Sequence, residues 1–101
     1  MKYGLSDECL KRISGVFDIF PEVEQVVLYG SRAKGSYRPA SDIDITLIGE
    51  LLTTTILSRI NWELDDLLLP YNFDISIYHH ITDKHLRRHI ENEGVIIYNK
   101  R

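Results

Sequence analysis

Residues 42–47 alternate strictly between polar and aliphatic side chains, in the order Asp-Ile-Asp-Ile-Thr-Leu. Because successive side chains of a β-strand point to opposite faces, this pattern predicts a strand with Asp42 and Asp44 on one face and aliphatic residues in a core. A second strand is predicted for Gln25–Tyr29, which is rich in β-branched and aromatic residues. The chain must therefore fold so that two like charges share the exposed face of a packed sheet.

Such a pair of carboxylates is a candidate metal site. Two carboxylates this close together repel each other. A hard dication that prefers oxygen ligands, such as Mg²⁺, would relieve the repulsion. The alternative is that Asp42 and Asp44 are only the solvated face of an edge strand. Asp74 favours the metal site, because it lies on the polar side of another alternating segment, 73–78. If the two acidic strands are neighbours, the three acids converge.

A turn of small residues, Gly30-Ser31, ends the first predicted strand, and ten residues separate it from Asp42. Glycine lets the backbone turn tightly and approach a ligand, and the Ser31 hydroxyl can donate beside free backbone N–H groups. Arg32 and Lys34 follow, and both could contact a polyphosphate. The turn, the cations and the acids together predict a site for a metal and nucleotide phosphates.

These segments carry a family resemblance. The sequence Leu-Tyr-Gly-Ser-Arg-Ala-Lys-Gly at 28–35, followed by Ser-Asp-Ile-Asp-Ile at 41–45, resembles the signature of the DNA polymerase β-like nucleotidyltransferase superfamily. Within it, the chain is similar to the minimal nucleotidyltransferases of the MntA type, small bacterial antitoxins encoded beside a helical HEPN-domain toxin. Lys34 is a departure, since many relatives carry arginine there; lysine keeps the charge but loses the bidentate fork.

The resemblance implies an α/β fold of the α+β type, a small mixed sheet with flanking helices. It also implies transfer of a nucleoside monophosphate, AMP from ATP, to a hydroxyl acceptor such as a tyrosine of the HEPN partner. Asp42, Asp44 and Asp74 would hold two Mg²⁺ ions, and Asp74 would also accept the proton of the attacking hydroxyl. The nucleotide would be bound by Gly30, Ser31, Arg32 and Lys34.

Two other functions compete with this one. The chain could be a non-catalytic, nucleotide-binding antitoxin that masks its helical partner, although a purely structural protein gains nothing evident from clustered acids. It could also modify an aminoglycoside-like drug, but relatives of that kind carry a further domain for the acceptor. The sequence leaves both a homodimer and a hetero-oligomer open.

Length and composition predict one small domain over residues 1–101, and the resemblance implies that it is a nucleotidyltransferase domain. A chain of 101 residues that is 44% hydrophobic can build one core without a second lobe. Its net charge of −3 argues against tight nucleic-acid binding. Neither a membrane span nor a signal peptide is evident, so we expect a cytoplasmic protein. The lone Cys9 excludes an internal disulfide and is expected to be buried.

The remaining pattern predicts helices around the sheet. The first helix begins after Ser6 and ends before Pro21, and the second helix covers residues 53–69. Thr82 caps a third helix that ends near Glu93. A terminal apolar run, 95–98, is predicted to be an edge strand or a partner contact, and Trp62 an exposed aromatic. We expect His79 and His80 on opposite faces of a strand end, and His85 and His89 on a solvated helix face. The stripe of the second helix is Ile56, Ile60, Leu64, Leu67 and Leu68.

Overall fold

A computed structural model describes residues 1–100, which form a mixed sheet with helices on both faces. In chain order the elements are α1 Asp7–Asp18, β1 Gln25–Tyr29, α2 Ser31–Lys34, β2 Ile43–Ile48, α3 Thr54–Asp65, β3 Phe73–Ile77, the 3₁₀ turn Tyr78–His80, α4 Lys84–Glu93 and β4 Val95–Asn99. The strand order is β3-β2-β1-β4. Strand β1 is antiparallel to β2 and β4, whereas β2 and β3 are parallel. The predicted mixed α/β fold is confirmed.

Side chains with oxygen acceptors begin the three long helices. The Ser6 hydroxyl accepts the Cys9 N–H at 3.0 Å, and Thr53 accepts the Ile56 N–H at 3.2 Å. The cap predicted at Thr82 is wrong by one residue, because the Asp83 carboxylate accepts the N–H groups of His85 and Leu86. An aspartate here also places negative charge at the positive end of the helix.

Helix α3 ends earlier than predicted, at Asp65. The N–H groups of Leu67 and Leu68 bond three residues back, which tightens the last turn. Leu68 has a φ of 55°, and its side chain is 87% exposed, so it does not cover the sheet as the apolar stripe implied. The positive φ of Leu68 takes the chain out of the right-handed helical region, and Pro70 disfavours that region at Leu69 as well.

The two faces of the sheet have different coverings. Ile43 and Ile45 of β2 point into the main core with residues of α1 and α3. On the other face, Ile90 of α4 packs against Val27 and Tyr29 of β1. Since side chains of β2 alternate, Asp44 and Thr46 belong to the α4 face. The predicted acidic face is therefore the one that α4 partly covers.

Cys9, Trp62 and the last strand lie as the sequence predicts, whereas the pair of histidines at 79–80 does not. Cys9 is buried and Trp62 is 71% exposed, as predicted, and β4 forms one edge of the sheet. His79 and His80 lie in a 3₁₀ turn rather than at opposite faces of a strand, and their rings meet edge to face at 4.6 Å between centroids. Within residues 1–100, no helix combines the length and apolarity that crossing a membrane requires.

Candidate active site at the acidic end of the sheet

Three side chains lie side by side on three adjacent strands, at the end of the sheet where β1 ends. Asp44 pairs in register with Tyr29 on one neighbouring strand and with Asp74 on the other. Residues directly opposite each other on adjacent strands share a face. The two acidic strands are therefore neighbours, which is the condition for the three acids to converge. Asp42 lies one residue before β2 and is exposed, as is Asp74.

The turn at Gly30 packs directly against this row. Gly30 has a φ of 77°, and a Cβ built on it would lie 2.5 Å from Oδ2 of Asp44. Both the backbone conformation and the close approach exclude a side chain here. Gly30 also starts α2, since its carbonyl accepts the Lys34 N–H at 3.1 Å. Ser31, the first residue of that helix, is thereby held next to the residue that touches Asp44.

The row of acids carries uncompensated negative charge. Burial, followed by the charges of Asp74 and Asp42, raises the pKa of the Asp44 carboxyl. Burial and then the charges of Asp74 and Asp44 also raise the pKa of the Tyr29 hydroxyl. Each of these groups therefore resists becoming an anion beside the existing ones. A bound cation would remove that resistance.

The donor set suits Mg²⁺, which prefers carboxylate oxygens. Among residues 1–100, however, no group of three or more His, Cys, Asp or Glu side chains stands close enough to hold an ion as placed. Asp42 and Asp74 are exposed, so their side chains have room to change rotamer, whereas Asp44 is partly enclosed. Asp44 is thus the fixed carboxylate of the group, and the other two would adjust around it.

Arg32 does not have the environment expected for a phosphate ligand. Its side chain is only 1% exposed, and its guanidinium donates to the carbonyl oxygens of Tyr3, Pro39 and Ser41. The guanidinium is enclosed and hydrogen-bonded to the main chain in this structure, and this placement gives no support to the predicted phosphate contact, which stays a prediction. Lys34, in contrast, is exposed at the end of α2.

Sequence reasoning also missed the surroundings of the acids. The sequence predicts only a strand position for Tyr29 and a solvated helix face for His89, yet their rings meet edge to face at 6.2 Å between centroids. One row further along, the Ser76 hydroxyl donates to Thr46 Oγ1 at 2.9 Å. The alternation of β2 could have placed Thr46 on the acidic face, but the position of His89 depends on how α4 docks.

Comparison with known proteins agrees with this geometry. Residues 11–101 match the family model described as "Polymerase beta, Nucleotidyltransferase". No curated protein matches the chain in sequence.

Solved structures share the fold at low sequence identity. A toxin–antitoxin structure with AMP-PNP has a TM-score of 0.73 at 19% identity, with 91% of this chain and 74% of that chain covered. The tri-AMPylated Shewanella oneidensis HEPN toxin in complex with MNT antitoxin gives a TM-score of 0.66 at 17% identity, covering 90% and 70%. A minimal nucleotidyltransferase gives 0.69 at 23% identity, covering 94% and 95%.

Proposed function

This chain belongs to the polymerase β nucleotidyltransferase family, and we propose that it transfers AMP from ATP to a hydroxyl group of a protein acceptor. The observation that carries the proposal is the contact between the Gly30 turn and Asp44, which is itself in register with Asp74. A bare backbone turn beside paired carboxylates is what a metal-bound triphosphate requires.

The residues have separate tasks in this reaction. Asp42, Asp44 and Asp74 would hold two Mg²⁺ ions, and the bound metal would supply positive charge that stabilises the α-phosphate and the departing pyrophosphate. Gly30 leaves room for the triphosphate, and the Ser31 hydroxyl donates to a phosphate oxygen. Lys34 adds a positive charge beside the phosphates.

Asp74 acts on the acceptor. Its exposed carboxylate takes the proton of the attacking hydroxyl while the acceptor oxygen bonds to the α-phosphorus and the bond to pyrophosphate breaks. No covalent intermediate on the chain is needed. The products are an AMP ester of the acceptor and pyrophosphate.

We propose that the acceptor is a tyrosine of a HEPN-domain toxin, which AMP transfer silences. Support comes from two structural neighbours, one with AMP-PNP and one an MNT antitoxin in complex with an AMPylated HEPN toxin. This chain also exposes apolar side chains that a partner could cover. Trp62 is 71% exposed and Ile96 of the edge strand 54%.

A masking antitoxin is the second candidate, and Trp62 favours it. Its ring borders a surface groove of about 400 Å³ between α1 and α3, which Ile19, Phe20 and Arg59 also line. A large exposed aromatic beside an apolar groove is typical of a binding surface. Such a surface could silence a toxin by contact alone.

Intact mass of the partner separates the two functions. The purified chain is mixed with the product of the neighbouring gene, the proposed HEPN-domain partner, together with ATP and Mg²⁺, and the mass of the partner is measured by mass spectrometry. Transfer predicts an increase equal to one or more AMP groups with wild-type protein, and a complex without that increase for Asp44→Asn. A stable complex that silences the toxin with no mass change would support masking and contradict transfer.

A further inference from the structure

Arg32 of α2 is hydrogen-bonded to main-chain carbonyls in two other parts of the chain, the N-terminal turn and the loop that precedes β2. Its Nε and Nη2 donate to the Ser41 carbonyl at 3.1 and 2.8 Å, and its Nη1 donates to the Tyr3 carbonyl at 3.0 Å. Nη2 also reaches the Pro39 carbonyl at 3.2 Å. A planar guanidinium can make this set of bonds because its donors form a rigid fork.

Two tyrosine rings enclose the same guanidinium. Its central carbon lies 5.4 Å from the ring centroid of Tyr37 and 4.8 Å from that of Tyr71. Tyr37 belongs to the loop between α2 and β2, and Tyr71 lies two residues before β3. Cation–π contacts of this kind stabilise a positive charge that is removed from water. The Tyr71 ring thus also connects the Arg32 side chain to the segment that leads into β3.

The most consequential of these bonds is the pair to Ser41. The Ser41 carbonyl belongs to the peptide group that carries the N–H of Asp42, so two hydrogen bonds to this oxygen orient the backbone from which Asp42 projects. The loop reinforces the arrangement, because the Arg38 N–H donates to Ser41 Oγ at 2.8 Å and the Ser41 N–H donates to the Arg38 carbonyl at 3.0 Å.

The N-terminal turn forms the other side of the enclosure. Lys2 and Leu5 exchange backbone hydrogen bonds of 3.0 and 2.8 Å, and Leu5 is buried in the core. Gly4, between them, has a φ of 74°, and a Cβ built on it would lie 2.8 Å from Arg32 Nη1 and closer still to the Tyr37 ring. This turn leaves just enough space for the guanidinium.

We propose that Arg32 is a positioning residue for the metal site: it ties the N-terminal turn, residues 2–5, to the loop 36–41 and so fixes Asp42, without touching the nucleotide. The inference rests on the proposed function, because it concerns the placement of one proposed metal ligand. It also makes the N-terminal turn, which is remote in sequence from the acids, part of the machinery that holds them.

The test compares Arg32→Lys with Arg87→Lys. Arg87 is a matched control, since its Nη1 donates to the Ile81 carbonyl at 3.1 Å and its guanidinium lies 4.6 Å from the Tyr78 ring centroid. Lysine keeps the charge but cannot hold several carbonyls in one plane. Two quantities are measured for each variant: binding of Mn²⁺ with AMP-PNP by calorimetry, and hydrogen exchange at the Arg38 and Ser41 amides.

We expect Arg32→Lys to weaken Mn²⁺ binding about 10- to 100-fold, the usual effect of losing a group that orients a metal ligand. The Arg38 and Ser41 amides should exchange faster, while Arg87→Lys leaves both quantities unchanged. Wild-type binding by Arg32→Lys, or unchanged exchange at these two amides, would overturn the inference.

Gly4→Ala provides a second variant in case Arg32→Lys folds poorly. Its methyl group would press on the guanidinium and on Tyr37, so binding and exchange should shift in the same direction. Undisturbed loop exchange in this variant would also count against the inference. If the unmodified chain binds no Mn²⁺ with AMP-PNP, the proposed function fails, and the exchange rates alone then decide whether Arg32 holds the loop.

Discussion

Asp44 and Asp74 lie directly opposite each other on two parallel strands, and the charge of Asp74 helps to raise the pKa of the Asp44 carboxyl. The effect adds to that of burial, which is larger. A chain that stabilises its fold alone would gain by separating these carboxylates. Their arrangement is unfavourable without a cation, and a bound cation would relieve the repulsion, so we expect stability to depend on metal and on pH.

Replacing Asp44 by asparagine should stabilise the protein without metal. The pKa of the Asp44 carboxyl is higher in the folded state than in the unfolded state, so its ionisation disfavours folding. The stability of the wild type therefore falls as the pH rises from the unfolded pKa to the folded pKa. In EDTA at neutral pH, Asp44→Asn should therefore raise Tm, and each kcal/mol would correspond to about 4–8 °C in a domain of this size.

The pH dependence supplies the control for Asp44. At a pH low enough to protonate the wild-type carboxyl, the difference in Tm should shrink, because both proteins then carry a neutral group there. With Mg²⁺ and AMP-PNP the order should reverse, since only the wild type gains from the metal. A lower Tm for Asp44→Asn in EDTA would contradict the picture of repelling carboxylates.

Asp74→Asn should separate turnover from nucleotide binding. If Asp74 takes the proton of the acceptor hydroxyl, its loss should lower the rate constant by about 10²–10⁴, the range typical of a general base. Binding of AMP-PNP with Mg²⁺ should fall much less. Single-turnover transfer and calorimetric binding give the two values, and equal losses in both would mean that Asp74 mainly holds the nucleotide.

Gly30→Ala should abolish nucleotide binding, because its methyl group would occupy space 2.5 Å from Asp44 Oδ2 and strain a backbone with φ of 77°. Gly15→Ala is the matched control. Gly15 lies in α1 with open space around its Cβ direction. There the same substitution should stabilise the helix by about 0.5–1 kcal/mol. Normal AMP-PNP binding by Gly30→Ala would mean that Gly30 serves only to end strand β1.

Tyr98 should control part of the alkaline stability. Its hydroxyl donates to Asp18 Oδ1 at 2.7 Å and so links β4 to α1. Burial and this hydrogen bond raise the pKa of Tyr98 to about 12. Because the unfolded tyrosine ionises first, near pH ~10, wild-type stability should fall between that pH and the folded pKa.

Tyr98→Phe should lower stability at neutral pH by roughly 0.5–1.5 kcal/mol, the usual value of one hydrogen bond. It should also reduce the loss of stability on going to alkaline pH. Urea denaturation at neutral and alkaline pH measures both effects. An unchanged alkaline slope in Tyr98→Phe would show that other groups cause the loss.

The shared face of Asp44 and Asp74 could be predicted from the sequence because its pattern is local. The alternation around Asp44 indicates which face its side chain takes, and the similar pattern around Asp74 does the same for the next strand. The alternation of side chains does not indicate which element of the fold packs on a given face of the sheet. The contact of His89 with Tyr29 depends on the docking of α4, which no short segment specifies.

Arg32 shows the same limit more sharply. A cation next to a small-residue turn resembles a phosphate ligand when only its neighbours in the sequence are considered. Its partners include the Tyr3 carbonyl, which is far away in the chain and comes close only after the N-terminal turn packs. The sequence predicts the start of α4 one residue too early for a simpler reason. Thr82 and Asp83 are both good caps, and only the structure shows which one accepts the free N–H groups.

The position of a phosphate label tests nucleotidyl transfer most directly. The chain and the HEPN-domain protein proposed as its partner are incubated with Mg²⁺ and ATP labelled at either the α- or the γ-phosphate, and label on the partner is counted. We predict that the α-label becomes attached to the partner, that the γ-label leaves in pyrophosphate, and that Asp44→Asn attaches neither. Label from the γ-phosphate on the partner, or no label from either position while the two proteins form a complex, would contradict the account.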